Sequence, residues 1–184
     1  LDAWGVAVGP SRAEEVEGAV SDIEAVEIID ALAAVGGRSW VVGGWGVDAL
    51  AERVSRTHRD LDLIILAEDL DAAVDVLVRS GYAVTTDWLP VRVELDDGIR
   101  VVDLHPMHPD PAGGWWQAEP GGGRYEYPHD AWTSGLLSGG IVERASVAMQ
   151  LPVQTGSHTD PVEDHDLAVP LELTITKHLR HLHR

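Results

Sequence analysis

Residues 60–66 read DLDLIIL, and this short stretch limits the possible folds more than any other in the chain. Val, Ile and Leu in a run bounded by polar residues read as a strand, and the spacing predicts one over 61–66. Side chains alternate across a strand, so Asp60 and Asp62 share one face at its exposed start while Leu61 and Leu63 point into a core. Ile64 and Ile65 anchor the strand further along. Asp103, in RVVDLHP, falls in a later strand and can face the same side. Three neighbouring carboxylates repel. At ~4 Å each pair costs about 1 kcal/mol in water and up to about 4 kcal/mol at an effective dielectric near 20. A hard dication between them removes that penalty. Mg²⁺ is bound by one or two carboxylates together with substrate phosphate oxygens, and two such ions can clamp an in-line phosphoryl displacement. The plain alternative pairs these acids with Arg56, Arg59 or Arg100 at the surface. The apolar flanks and an upstream glycine pair favour the metal reading.

That pair, Gly43 and Gly44, stands between a short apolar run and a helical pattern. Without Cβ atoms the backbone can approach a ligand closely. A helix N-terminus offers free N–H groups and partial positive charge, which suits a triphosphate. Neither G-x-x-x-x-G-K-[ST] nor G-x-G-x-x-G is present, and the only lysine, Lys177, is far away in sequence.

The rest of the chain supplies alternating elements. Residues 1–20 read as a weakly specified leader without a signal-peptide pattern. Ser21 and Glu24 form a capping-box signature for a helix with Ile23, Val26, Ile29 and Ala33 at helical spacing, stopped by Gly36 and Gly37. A strand over 39–42, a helix over 45–54, the 61–66 strand and a helix over 68–81 follow. The last of these carries Leu70, Val74 and Leu77 on one face and stops at Gly81. Residues 82–95 and 99–107 read as strands around a tight Asp97-Gly98 turn. Residues 109–124, rich in Gly and Pro, read as a loop. A brief strand and then a helix capped by Ser146 and limited by Pro152 come next, before a partly helical tail. The expected fold class is α+β: a small mixed β-sheet with helices packed on one face, plus a short C-terminal helical segment. The expected organisation is a leader at 1–20, a core at 21–108, and a loop and helical segment at 109–184 completing the acceptor side.

The net charge is −18, from 31 acids against 13 Lys and Arg. Such a surface repels nucleic acid and anionic membranes and attracts cations. No apolar run reaches the ~18 residues a membrane span needs. The chain has no cysteine, so disulfides and thiolate metal sites are excluded and a cytoplasmic location is the expectation.

The residues GGWGVDAL…RVSRTHRDLDLIIL, followed by VDLHPM, resemble the nucleotidyltransferase superfamily that includes DNA polymerase β. The similarity is greatest to the aminoglycoside 2″-nucleotidyltransferases and small lincosamide nucleotidyltransferases. That resemblance implies Asp60 and Asp62 as metal ligands and Asp103 as a third carboxylate, either ligand or general base. It implies Gly43 and Gly44 at the nucleotide phosphates. Arg56 and His58, in an R-x-H-x-D-x-D run, would contact phosphate or orient the aspartates. It further implies two Mg²⁺ ions, an NTP co-substrate (ATP foremost), and transfer of a nucleoside monophosphate to a hydroxyl of a small molecule. The acidic surface fits a cationic antibiotic acceptor, with no nucleic acid or membrane partner; a homodimer is left open. Gln150, Gly156, His165, Asp166 and Leu167 match the family's C-terminal pattern, from which Pro152 and Ser157 depart.

A second reading is a minimal nucleotidyltransferase-like antitoxin or regulatory module acting on a protein partner. His105 and His108 form H-x-x-H, too few ligands for zinc, and His105 is expected to pack beside Asp103 and shape the site. Trp115 and Trp116 are expected to pack onto the core, with base stacking as the alternative. Tyr125, Glu126 and Tyr127 are candidates to line an acceptor pocket. The tail HLRHLHR reads as solvated. No G-x-S-x-G elbow is present, which argues against a serine hydrolase.

Overall fold

The computed structural model describes residues 18–147 and 149. The first helix, α1 (Asp22–Ala34), begins at the capping box: Ser21 Oγ accepts from Glu24 N at 3.3 Å, and Glu24 Oε2 accepts from Ser21 N at 2.9 Å. Its buried stripe is Ala25, Ile28 and Leu32. The predicted stripe is displaced: Ile23 is 60% exposed, and Val26 and Ile29 only flank the core. A helical period admits neighbouring stripes, and the one carrying small Ala25 faces the sheet.

Strand β1 (Ser39–Val41) leads into α2 (Gly43–Ala51). The glycines therefore form the first turn of α2 rather than a turn before it. Glu52, in the left-handed region at φ 56°, ends the helix. Strand β2 (Asp60–Leu66) and a 3-10 turn lead to α3 (Leu70–Arg79), which buries Leu70, Ala73, Val76 and Leu77. The predicted 82–95 strand is two, β3 (Ala83–Trp88) and β4 (Arg92–Asp96), because the chain turns at Leu89-Pro90. The Asp97-Gly98 turn forms as expected, with Asp97 N donating to Arg100 O at 3.2 Å, and β5 (Val101–Pro109) follows.

Residues 109–124 are not simply a loop. They contain β6 (Trp115–Ala118), which pairs antiparallel with β5 and with β7 (Arg124–Tyr127). The Gly-rich segment between β6 and β7 is a hairpin connection. β8 (Trp132–Leu137) was not expected from sequence, and β9 (Gly140–Ala145) is the brief strand that was. The helix expected after Ser146 lies outside the described residues beyond its first turn, where Met149 N donates to Ser146 O at 3.0 Å. The tail and the residues of the C-terminal pattern also lie outside them. No described helix is long and apolar enough to cross a membrane.

The strands form one mixed sheet in the order β3-β4-β5-β2-β1-β9-β8, with β6 and β7 continuing from β5. β2 and β5 run parallel, as do β1 and β9. All three helices cover one face, burying Leu61, Leu63, Ile65, Val102 and Leu104. The other face carries a second apolar cluster, centred on Trp40, Ile64, Met107 and Tyr127, with Trp115 and Trp132 beside it. The fold class is thus α+β with a mixed sheet, as the alternation predicts.

One ion cluster ties α1 to the β4–β5 turn. Arg100 contacts Asp97 Oδ2 at 2.7 Å and Glu24 Oε1 at 3.1 Å. Burial works against ionised Asp97, but the N–H groups of Arg100 and Ile99 and the Arg100 guanidinium outweigh it and lower its pKa. The Ser21 hydroxyl, above all, lowers that of Glu24. Carboxylates depressed in the folded state contribute stability above their unfolded values, near 4, and lose it as pH falls through the folded values. Asp97→Asn is therefore expected to lower the melting temperature at pH 6, with the gap to wild type closing toward pH 3. Parallel curves at all pH values would refute this account.

Candidate active site

β2 and β5 lie side by side in parallel register, with Asp62 opposite Asp103 and Ile64 opposite His105. Side chains paired across strands share a face, so Asp60, Asp62, Asp103 and His105 all project from the face opposite the helices. Toward β1 that face continues as the aromatic cluster. The leucines of β2 hold the strand in the helix-side core, and this positions the acids.

Asp62, Asp103 and His105 offer ligand atoms within 4.8 Å of one another. His105 Nε2 is 3.7 Å from Asp62 Oδ1 and 3.8 Å from Asp103 Oδ2. Asp60 is one pleat repeat away, about 7 Å along the strand. It is 40% exposed and 3.6 Å from Arg59. The structure thus brings Asp62 and Asp103 together with His105, and places Asp60 at the rim on the same face.

The electrostatics show strain among like charges. Burial, then the charge of Asp62, pushes the Asp60 carboxyl up. Burial raises Asp103 as well, with Asp62 adding to it and His105 and Arg92 opposing. Burial disfavours charged His105, yet the facing Asp62 and Asp103 carboxylates prevail and raise it. Arg92 Nη1 contacts Asp103 Oδ2, while Asp103 Oδ1 is buried without a hydrogen-bond partner among the described residues. A buried carboxylate oxygen without a donor suits a cation, so these residues fit a divalent metal. Sequence reasoning missed Arg92 and Glu94, which lie on β4 facing this patch. Glu94 sits opposite Asp103 and accepts from Thr85 Oγ1 at 2.9 Å. The only local signal was their i, i+2 spacing on a strand.

The glycine pair borders the acids directly. A Cβ on Gly43, which has φ +59°, would overlap Asp62 Oδ2, and one on Gly44 would overlap Arg56 and His58. Val42, the residue preceding α2, makes no side-chain cap, so the first-turn N–H groups of α2 are available to an anion beside Asp62. Arg56 lies against Gly44, and its Nη1 donates to Thr57 O at 2.9 Å. His58 is 2% exposed, 2.6 Å from Asp48 Oδ2 and packed on the Trp45 ring at 4.3 Å between centroids. Asp48, fully buried, also accepts from Ser55 N at 3.1 Å. His58 is thus buried beneath the α2 turn, held there by Asp48 and Trp45.

H-x-x-H is no chelate: residues three apart on a strand face opposite sides, and His108 stacks on Trp116 at 4.4 Å. Trp115 packs toward the core, 6.2 Å from Trp40. Tyr127 is buried, donating to Gln117 Oε1 at 2.6 Å, with Tyr125 edge-on to it at 4.9 Å.

Known proteins resemble this chain in sequence and in fold. A lincosamide resistance protein of Staphylococcus haemolyticus is 36% identical over 92 residues, covering 50% of this chain and 57% of its own length. A 2''-aminoglycoside nucleotidyltransferase of Klebsiella pneumoniae is 34% identical over 83 residues, covering 44% and 41%. The matches therefore span less than two thirds of these relatives' lengths. Among solved structures, the lincomycin-bound lincosamide antibiotic adenylyltransferase LnuA superposes with a TM-score of 0.75 at 27% identity, over 83% of this chain and 97% of that one. ANT(2")-Ia in complex with adenylyl-2"-tobramycin shares the fold, with a TM-score of 0.70 at 18% identity over 88% and 93%. The profile of the aminoglycoside-2''-adenylyltransferases matches residues 24–169, well over half of the sequence, and the chain belongs to that family.

Proposed function

We propose that this chain is a Mg²⁺-dependent nucleotidyltransferase that moves a nucleoside monophosphate from an NTP, with ATP the expected donor, to a hydroxyl of a lincosamide or aminoglycoside antibiotic. The observation that carries this reading is the juxtaposition of Asp62 and Asp103 with the uncapped first turn of α2, where a Gly43 Cβ would strike the Asp62 carboxylate. An anion-binding turn and a cation-binding carboxylate pair in contact suit a metal–triphosphate. The named relatives favour this enzyme reading over the regulatory module.

Asp62 and Asp103, with Asp60 at the rim, would hold the metal. When bound, Mg²⁺ neutralises triphosphate charge and draws electron density from the α-phosphorus. The α2 N–H groups bind the terminal phosphates, and Arg56, packed on Gly44, adds a cation at the same turn. His58, fixed by Asp48, keeps that turn in place. The acceptor hydroxyl oxygen forms a bond to the α-phosphorus, the α–β bridging bond breaks, and pyrophosphate leaves. Asp103, its carboxylate oriented by Arg92, serves as third ligand or takes the hydroxyl proton. The segment from 109 onward supplies the acceptor side, with Tyr125 and the β6–β7 hairpin flanking the acids. A net charge of −18 favours a cationic acceptor.

The test is pyrophosphate release from each NTP with Mg²⁺ across a panel of lincosamides and aminoglycosides. Release from ATP that depends on one antibiotic class, with a nucleotidylated product by mass spectrometry, is the expected result. An absence of acceptor-dependent release across the panel would sink the proposal.

A further inference from the structure

We infer that His105 is a metal ligand, so that Asp62, Asp103 and the His105 imidazole form one mixed nitrogen–oxygen site that takes Mn²⁺ or Co²⁺ more tightly than Mg²⁺. The inference rests on the metal-dependent reading of this site and extends it to a residue outside the carboxylate set.

The distances carry it. His105 Nε2 stands 3.7 Å from Asp62 and 3.8 Å from Asp103, too far for a good hydrogen bond to either. Two ligands on a common ion with bonds of about 2.1 Å are separated by roughly 3.0 Å when adjacent and about 4.2 Å when opposite. The observed gaps fall between these limits. Asp103, side chain 9% exposed, turns Oδ2 toward His105, while its Oδ1 has no hydrogen-bond partner among the described residues. Arg92 contacts that same Oδ2 and so fixes the carboxylate's orientation.

The far side of the imidazole is organised too. Gln117 Nε2 lies 3.3 Å from His105 Nδ1, and Gln117 Oε1 accepts from Tyr127 OH at 2.6 Å. A metal-bound imidazole keeps its lone pair at one nitrogen and donates the other N–H to an outer acceptor. Turned by half a revolution, the Gln117 amide presents Oε1 to Nδ1–H and its NH₂ to the Tyr127 oxygen. Burial pushes the Tyr127 hydroxyl pKa far up, so it stays a neutral partner. Imidazole suits Mn²⁺, Co²⁺ and their neighbours, whereas Mg²⁺ keeps to oxygen and water. That difference sets the expected preference.

Mn²⁺ added to the full nucleotide-free chain is the probe, read by electron paramagnetic resonance with pulsed detection of nitrogen coupling. Bound Mn²⁺ should show imidazole ¹⁴N modulation that His105→Asn removes, with Mn²⁺ affinity falling about tenfold or more. Gln117→Ala should weaken binding by about 10–100-fold, as outer partners of ligating histidines do. Gln117→Glu should retain the nitrogen signal, which covers the case of His105→Asn misfolding. Modulation that survives His105→Asn, from another histidine, overturns the inference, as does Mn²⁺ bound through Asp62 with no nitrogen signal. In that last outcome the metal-dependent reading itself stands. Mn²⁺ binding indifferent to Asp62→Asn, or no binding at all, overturns both.

Discussion

Asp62→Asn should abolish nucleotide transfer while leaving the protein at least as stable as wild type. Asp62 sits opposite Asp103 in the parallel β2–β5 register and below Gly43, so it is the acid nearest both the proposed metal and the phosphate turn. Removing one preorganised electrostatic contact to a transition state costs about 10²–10³-fold in rate, and removing a central ligand should cost at least that. Stability should move the other way. Burial raises the pKa of both Asp60 and Asp103, and Asp62's charge adds to it in each, so the ionised trio repels at neutral pH. A carboxylate whose folded pKa lies above its unfolded value destabilises the fold once ionised in both states, so relieving the repulsion favours folding. Steady-state kinetics and thermal melts at pH 7, without metal, check both halves. Retained activity would remove Asp62 from the mechanism. A lowered melting temperature would show that it acts as a structural residue.

The opposite pattern is expected of Asp48→Ala. Asp48 is fully buried on α2 and holds His58 Nε2 at 2.6 Å and Ser55 N at 3.1 Å. Deleting it strands a buried imidazole and a half-buried donor, a loss of about 3–5 kcal/mol. In a domain of this size each kcal/mol moves the melting temperature by roughly 2–4 °C, so the drop should be about 10 °C or more. His58→Ala should cost less than this, and the double variant should cost much less than the sum, because the two side chains share one interaction. Additive losses would separate His58 from Asp48 energetically. A surviving folded fraction should show a raised KM for the NTP, because the prop beneath Gly44 has gone.

What could be read in advance was whatever depends on near neighbours in sequence. The Ser21–Glu24 cap, the Asp97-Gly98 turn and the two-residue spacing of Asp60 and Asp62 each use residues at most three apart, and each is present. The rest depends on register between distant segments. Arg92 and Glu94 join the acids only because β4, β5 and β2 align as they do. The α1 stripe was misplaced because Ile23 is apolar yet faces solvent, where burial and not residue type decides. β6, β7 and β8 were hidden for a related reason: their short segments sit among glycines and prolines that locally signal turns, and pairing with β5 and β9 makes them strands. Nothing in R-x-H-x-D-x-D shows that the partner of His58 is Asp48.

The parallel pairing of β1 with β9 has a consequence for how the protein is assembled. β1 leads straight into the glycine turn, and its outer edge is closed only when Arg144 comes to lie beside Val41, about a hundred residues later in the chain. Contacts of such long sequence separation form late, after much loop-closure entropy has been spent. During synthesis β1 is therefore an open apolar edge until nearly all of the described chain has emerged, and that is the period when strand edges invite wrong pairings. The phosphate turn takes its final shape as the last described strand docks, so a nascent chain gains a complete nucleotide cradle only when its sheet is whole.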